Sequence, residues 1–248
     1  MVTHSPVAIP VRAETPQGVV ETEVNGRWTL PASPDVEGST TTSGGPSGKP
    51  TVVLAHGAGA GMEHPFMRGA AEGLARLGLR VLRFNFPYMD AGKKFPDRPP
   101  LAVGTWRSVM RFAAEHVDGP LWAAGKSFGG RMASMAVAEG MEAAGLVYLG
   151  YPLHAPGKPE KLRDEHLYGL AVPQLFLQGT RDTFAQSDLL EGVVQRLEQD
   201  QPGRTRLVWI DGGDHSFAVK GVKREPADVA AELGAHVAAF LTQDPSLR

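Results

Sequence analysis

The sequence has no cysteine in its 248 residues. It therefore cannot form a disulfide, use a thiolate as a nucleophile or bind zinc through sulfur. It also lacks an apolar run long enough to cross a bilayer, and its first residues lack the basic and apolar segments of a secretory signal. We expect no membrane association and, by default, a cytoplasmic location.

An excess of charge of either sign is also missing, because the formal net charge is -2. Without a basic arm or patch we expect no nucleic-acid partner. No H-E-x-x-H or comparable ligand spacing occurs, so we predict neither a metal nor another cofactor. The composition and length suit one globular domain over residues 1–248, in which residues 33–50, rich in Ser, Thr, Gly and Pro, are predicted to form a flexible surface loop.

Apolar strand-like runs alternate with helix-like segments from Thr51 onward. The pattern indicates an α/β fold with a mainly parallel sheet covered by helices on both faces. In the preceding segment, Val19 to Leu30 indicates a hairpin or edge strands, with Asn25-Gly26 as a tight-turn signal. The predicted strands are TVVLAH, RVLRFNF, LWAA, AGLVYLGY, QLFLQG and RLVWIDG, and the predicted helices cover residues 65–77, 101–117, 131–139, 187–199 and 226–241.

The stretch LWAAGKSFGG, residues 121–130, fits two motifs with unrelated chemistry. A phosphate-binding loop would need a glycine five places before Gly125, where the chain has Pro120. A hydrolase nucleophile turn, G-x-S-x-G, needs an apolar strand, a sharp turn and a helix, and all three are indicated here. We therefore predict Ser127 as a nucleophile, the alternative being a helix cap.

An acid and a base follow two later predicted strands. His215, in GGDHSF, would take the proton of Ser127, and Asp182, in QGTRD, would orient the imidazole. The alternatives are a solvent-facing loop histidine and an aspartate that caps the next helix. Asp211 and Asp214 are rivals for the acid, but an aspartate next to the histidine in sequence is poorly placed to reach the far ring nitrogen.

The loop HGAGAG, residues 56–61, follows the first parallel strand. We predict that it supplies one backbone N–H of an oxyanion hole, from Ala58 or Gly59, and that Phe128 supplies the other. The loop is a near-miss for the dinucleotide motif G-x-G-x-x-G, because Met62 stands where the third glycine belongs.

Two further side chains, Tyr88 and His154, also follow predicted strands. Since strand ends meet at one edge of the sheet, we list both as candidate substrate contacts, although such residues most often pack or face water. Lys126 brings a charge beside the nucleophile, which could attract an acidic substrate or pair with a carboxylate. The connection between Gly150 and Pro173 is too short for a full helical cap, which predicts an open site.

Six motifs follow one another along the chain: LAHGAGAGMEHPFM, NFPY, GKSFGG, GYPLHAPGKPEKLRDEHL, LFLQGTRD and GGDHSF. Together they resemble the α/β-hydrolase superfamily, and more narrowly its dienelactone-hydrolase-related branch. That branch includes testis-expressed hydrolase-like proteins and a hydrolase-like subunit of a chromatin acetyltransferase complex. The resemblance implies an eight-stranded type of fold, a Ser127–His215–Asp182 triad and backbone oxyanion donors. Dienelactone hydrolases proper use cysteine, which is missing here, and Thr183 replaces the proline common in the branch.

These features predict a serine hydrolase of carboxylic esters or thioesters with a small-molecule acyl substrate. One alternative is a binding or scaffold protein that keeps the fold without turnover. Another is acyl transfer to an alcohol or amine by the same residues. The sequence names no particular substrate or protein partner.

Overall fold

The computed structural model describes residues 1–32 and 48–243. An eight-stranded sheet has the order β1-β2-β4-β3-β5-β6-β7-β8. Most of the loop predicted at 33–50 lies outside the described residues. The strands are β1 Thr3–Thr15, β2 Gly18–Leu30, β3 Thr51–Ala55, β4 Arg80–Phe84, β5 Leu121–Lys126, β6 Gly145–Leu149, β7 Gln174–Gly179 and β8 Thr205–Ile210.

Helices cover both faces of the sheet. Strands β3 to β8 are parallel, and the β1–β2 hairpin joins them antiparallel through β4. Apolar residues of α1 and α6 pack on one face, and those of α3, α4 and α5 pack on the other. The predicted α/β architecture is confirmed. The helices are α1 Pro65–Arg76, α2 Pro87–Asp90, α3 Pro99–His116, α4 Phe128–Ala138, α5 Ser187–Asp200 and α6 Pro226–Gln243.

The tight turn predicted at Asn25-Gly26 is wrong, because both residues lie inside β2 and the hairpin turns at residues 16–17. Asn25 donates its backbone N–H to Asp90 at 2.7 Å, and its side chain donates to the same carboxylate. A Cβ at Gly26 would lie 2.6 Å from Ile9 Cδ1. The glycine therefore permits close packing within the hairpin, and tertiary contacts outweigh the local turn preference.

Strand β1 forms one edge of the sheet, and sequence reasoning missed it. It contains Pro6 and Pro10, which weaken a strand assignment but are tolerated on an edge. Further along, the Arg12 N–H donates to Ser108 Oγ at 3.1 Å, and that hydroxyl donates back to the Arg12 carbonyl at 3.2 Å. Helix α3 thus covers part of the outer edge of β1.

The segments that carry the predicted site leave the carboxyl ends of the parallel strands. The connection from Gly150 to Pro173 contains a short 3-10 helix, Glu165–Gly169, in agreement with the short cap expected from its length. Among residues 1–32 and 48–243, no helix is long and apolar enough to cross a membrane.

Candidate active site

Ser127 lies at a sharp turn between β5 and α4. Its backbone has φ 48° and ψ -114°, a conformation that is rare for a residue with a side chain. The Ser127 N–H donates to the Leu149 carbonyl of the neighbouring β6 at 3.1 Å, which ties the turn to the sheet. Helix α4 begins at the next residue, Phe128, so the serine hydroxyl projects beyond the strand ends.

The two motif glycines allow the backbone to approach itself around this turn. A Cβ at Gly125 would lie 2.2 Å from the Gly130 nitrogen. A Cβ at Gly129 would lie 2.5 Å from the His56 carbonyl oxygen. Neither backbone atom can move without shifting a strand or a helix, so the G-x-S-x-G spacing is a steric requirement of this turn.

The structure brings Ser127, His215 and Asp182 into one hydrogen-bonded chain. Ser127 Oγ lies 2.8 Å from His215 Nε2, and His215 Nδ1 lies 2.7 Å from Asp182 Oδ2. A carboxylate only accepts hydrogen bonds, so Nδ1 carries the proton and Nε2 is free to accept from the serine hydroxyl. The His215 side chain is 22% exposed, which leaves the base within reach of solvent, whereas Asp182 is buried.

Asp182 accepts hydrogen bonds from three donors within residues 1–32 and 48–243. Besides His215, the side-chain amide of Gln178 donates to Oδ2 at 2.6 Å, and the Phe184 N–H donates to Oδ1 at 2.8 Å. Gln178 is fully buried, and its amide oxygen accepts from the Tyr151 N–H at 2.7 Å. Sequence reasoning missed Gln178, although a glutamine in the apolar run QLFLQG is a visible signal of a buried polar contact.

The rival aspartates have other partners. Asp214 accepts from the N–H groups of Ser216 and Ala218, which shapes the loop that carries His215. Asp211 accepts from the Thr180 hydroxyl at 3.4 Å. The geometry therefore favours Asp182 as the partner of the histidine.

Phe128 and the HGAGAG loop lie on either side of Ser127. The Phe128 amide is the first of helix α4, and such amides have no acceptor within their own helix. A Cβ at Gly57 would lie 3.7 Å from Ser127 Cβ, so the loop passes directly beside the serine. This places the predicted donors Ala58 and Gly59 in the segment next to the nucleophile, and the choice between them stays open.

Tyr88 lies beneath the HGAGAG loop. Its hydroxyl is 3.1 Å from the Gly57 carbonyl and 3.0 Å from the Ala58 carbonyl, and it donates to this pair. Burial raises the pKa of Tyr88 to about 12, so the hydroxyl keeps its proton at neutral pH. The residue is 1% exposed, and its hydrogen bonds hold the HGAGAG loop in place. Substrate contact by Tyr88 stays a prediction.

Two buried histidines hold neighbouring backbone. His56 Nδ1–H donates to the Gly57 carbonyl at 2.7 Å, and Nε2 accepts from the Phe86 N–H at 3.1 Å. Burial lowers the pKa of His56, which favours this neutral ring. His154 is likewise buried, and its Nε2 accepts from the Gln186 N–H at 3.0 Å. This hydrogen bond to Gln186 ties the Gly150–Pro173 connection to the segment after β7. Substrate binding by His154 stays a prediction.

Residues 48–242 match a family model described as an alpha/beta hydrolase domain. The chain belongs to this alpha/beta hydrolase family. The match includes the serine turn, both loops of the acid and base, and every parallel strand, so the resemblance of the motifs to the α/β-hydrolase superfamily is confirmed.

Solved structures share the fold over most of their length. XC6422 from Xanthomonas campestris, described as a serine hydrolase without a lid, has a TM-score of 0.64 and 23% identity, covering 96% of this chain and 97% of its own. A dienelactone hydrolase from Anabaena variabilis has a TM-score of 0.60 and 18% identity, with coverages of 96% and 97%. The Pyrococcus furiosus esterase Pf2001 has a TM-score of 0.67 and 16% identity, with coverages of 96% and 91%.

Proposed function

We propose that this alpha/beta hydrolase acts on carboxylic esters or thioesters through an acyl-enzyme on Ser127. The observation that carries the proposal is the hydrogen-bonded chain from Ser127 Oγ through both nitrogens of His215 to Asp182, with lengths of 2.8 and 2.7 Å. A serine hydroxyl is a weak nucleophile until a base takes its proton, and His215 Nε2 lies at the distance this transfer requires.

In the first half-reaction, Ser127 Oγ attacks the acyl carbon while its proton passes to His215 Nε2. Asp182 stabilises the resulting imidazolium through Nδ1. Collapse of the tetrahedral intermediate expels the alcohol or thiol, which receives the proton from Nε2. In the second half, His215 takes a proton from water, whose oxygen attacks the acyl carbon. Collapse of this second intermediate breaks the bond to Ser127 Oγ, which recovers its proton from His215 Nε2 as the carboxylic acid leaves.

The developing oxyanion requires donors that are already in place. We assign this task to the Phe128 amide and to one amide of the HGAGAG loop, Ala58 or Gly59. The Tyr88 hydroxyl and the His56 ring support the assignment, because both bind carbonyls of that loop and fix the direction of its peptide units. An acyl group is the substrate class that such a site fits.

Labelling with a fluorescent fluorophosphonate tests the proposal. We expect the wild type to be labelled, mass spectrometry to place the adduct on Ser127, and Ser127→Ala to abolish both labelling and ester hydrolysis. Turnover should be measured on nitrophenyl esters of increasing acyl length and on the matching acyl thioesters. The fall in turnover should be about 10⁴-fold or more.

Ser134→Ala is the matched control. Ser134 lies on α4, the helix that begins directly after Ser127, and its hydroxyl also contacts a histidine, His166 Nε2, at 2.8 Å. Ser134 is fully buried, so we expect its removal to leave labelling intact. A folded wild type that reacts at neither serine would contradict the proposal and favour a binding or scaffold role. Ester products of an added alcohol, in place of the acid, would instead indicate acyl transfer.

A further inference from the structure

Lys126 is the last residue of β5 and directly precedes the nucleophile. Its side chain extends toward the ends of the neighbouring strands. The ammonium donates to the backbone carbonyl of His215 at 2.5 Å. One side chain therefore links the strand that carries Ser127 to the backbone of the histidine, 89 residues further along the chain. The hydrogen bond of this ammonium is to a backbone carbonyl, an arrangement that the sequence did not predict.

Gly150 provides the space in which these groups meet. Its φ is 73°, in the region that favours glycine. A Cβ at this position would lie 3.1 Å from Lys126 Nζ, 3.4 Å from the His215 carbonyl oxygen and 3.6 Å from Asp182 Oδ2. The ammonium, the backbone of the base and the acid thus converge on one residue that has no side chain.

The charges that face Lys126 favour its protonated form, whereas burial opposes it. Asp182, on the loop after β7, and Asp214, on the loop after β8, both stabilise the ammonium, but burial has the larger effect and lowers the pKa of Lys126 to about 8. From the same loop the Phe217 ring lies 5.5 Å from Nζ. Groups that follow the ends of β6, β7 and β8 therefore surround the ammonium.

The loop of His215 contains a strained residue. Phe217, two residues after the histidine, has φ 63°, which is unfavourable for a residue with a bulky side chain. A strained conformation persists only where surrounding contacts enforce it. The bond from Lys126 acts on the carbonyl of His215 itself, and the Ser216 N–H of the same peptide unit bonds to Asp214.

We propose that Lys126 is a positioning residue, which holds the backbone of His215 so that its imidazole stays between Ser127 and Asp182. This inference rests on the proposed hydrolase function and makes that activity depend on the protonation of Lys126. A hydrogen bond from an ammonium is roughly twice as strong as one from a neutral amine. Alignment of the base therefore weakens when Lys126 loses its proton.

The expected signature is a fall in kcat as pH rises through about 8, the pKa of Lys126. KM should change little, because the ammonium binds the backbone of His215 and is not assigned to the substrate. Lys126→Arg keeps a charge at all accessible pH values, so its activity should persist to higher pH. Lys126→Met should lower kcat by about 10-fold or more and should lack the loss of activity near pH 8.

Lys220→Met is the matched control, since Lys220 is an exposed lysine on the loop of His215. We expect its kcat, KM and pH profile to equal those of the wild type. A KM that rises in Lys126→Met with kcat unchanged would show that the lysine binds substrate and would overturn the inference. A wild-type pH profile that Lys126→Arg leaves unaltered would also overturn it, and this test does not depend on folding of the methionine variant.

Hydrogen exchange separates this inference from the proposed hydrolysis. Amides of residues 212–217 should exchange faster in Lys126→Met than in the wild type and in Lys220→Met, whether or not the protein turns over an ester. Absence of fluorophosphonate labelling with faster exchange would refute the hydrolase function and retain the anchor. Labelling of the wild type with unchanged exchange in folded Lys126→Met would refute the anchor alone.

Discussion

Ser127 and His215 are hydrogen-bonded to each other, yet the structure holds them by different means. Ser127 stands on a turn defined by backbone: a strand, a helix and two glycines that admit no side chain. His215 stands on a loop that backbone hydrogen bonds also join to the sheet, but two side chains, Asp182 and Lys126, hold its imidazole and its backbone carbonyl. The nucleophile half of the site is therefore set by packed backbone, whereas the acid–base half also depends on side chains.

The difference has an energetic consequence. Disturbing the turn of Ser127 requires movement of packed backbone, which costs folding free energy as well as activity. Removing a side chain beneath His215 leaves the sheet in place and changes mainly the alignment of the base. Substitutions in the nucleophile half should therefore lower stability and activity together. Substitutions in the acid–base half should lower activity by more than their loss of stability explains.

The largest effect is expected from Asp182→Asn. The Phe184 N–H holds the amide oxygen at the Oδ1 position, so the amide NH2 faces His215 Nδ1 and favours the tautomer with its proton on Nε2, which cannot accept from Ser127. We expect kcat for ester hydrolysis to fall by about 10⁴-fold, a far larger effect than the loss of stability that the thermal unfolding midpoint reports. A variant that retained more than a tenth of wild-type kcat would remove Asp182 from the mechanism.

Gly129→Ala should affect both properties at once. The added methyl group would lie 2.5 Å from the His56 carbonyl, between the nucleophile helix and the oxyanion loop. Overpacking of this kind costs about 3 kcal/mol, and displacement of a reacting group by roughly 1 Å costs about 100-fold in rate. Denaturant unfolding and fluorophosphonate labelling should both report the loss.

Gly192→Ala on α5 is the control, because Gly192 is exposed and nothing lies within 4 Å of its added Cβ. This change should leave activity unaltered and stabilise the helix by up to about 1 kcal/mol. If Gly129→Ala lost activity with no loss of unfolding free energy, the nucleophile half would not be coupled to the core as described.

Gln178→Met should give the smallest of these effects, and comparison with a second variant should separate its effect on activity from its effect on stability. It removes a donor to Asp182 and leaves the Tyr151 N–H without its acceptor, so we expect a loss of about 1–3 kcal/mol in stability and of about 10–100-fold in labelling rate.

Gln174→Met is its counterpart at the opposite end of the same strand. Gln174 is also buried and accepts from the Tyr148 hydroxyl at 2.9 Å, but it does not contact the acid. Its removal should cost a similar amount of stability and leave the labelling rate within about twofold. Equal loss of labelling in both variants would show that Gln178 acts only through stability.

Much of the fold was predictable because periodicity and composition are local. Each predicted helix and each parallel strand is present, as the alternation of apolar runs indicated. The misses arose from long-range contacts: β1 forms despite Pro6 and Pro10 because it lies on an edge, and Asn25-Gly26 stays extended because Asp90 and Ile9 meet it there.

The site was predictable to the extent that strand ends converge. Ser127, Asp182 and His215 could be placed at one edge by their order along the chain, and their hydrogen bonds are present. Their catalytic roles stay predictions. The partners of Gln178 and Lys126 could not be predicted, because each contact joins strand ends whose register and loop path only the folded chain defines.

The outer edge of β1 bears on how copies of this protein meet one another. The pairing of β1 with β2 is unbroken, and Pro6, Pro10 and Arg12 are an even number of residues apart, so their backbone groups point to the same side of β1. For Arg12 this side is the outer edge, where its N–H and carbonyl bond to Ser108. Prolines in the same orientation offer no N–H to a passing strand, and Arg12 is already bonded. Strand addition at this edge is thereby discouraged, so crowding in a cell should not convert the sheet into a template for its own aggregation.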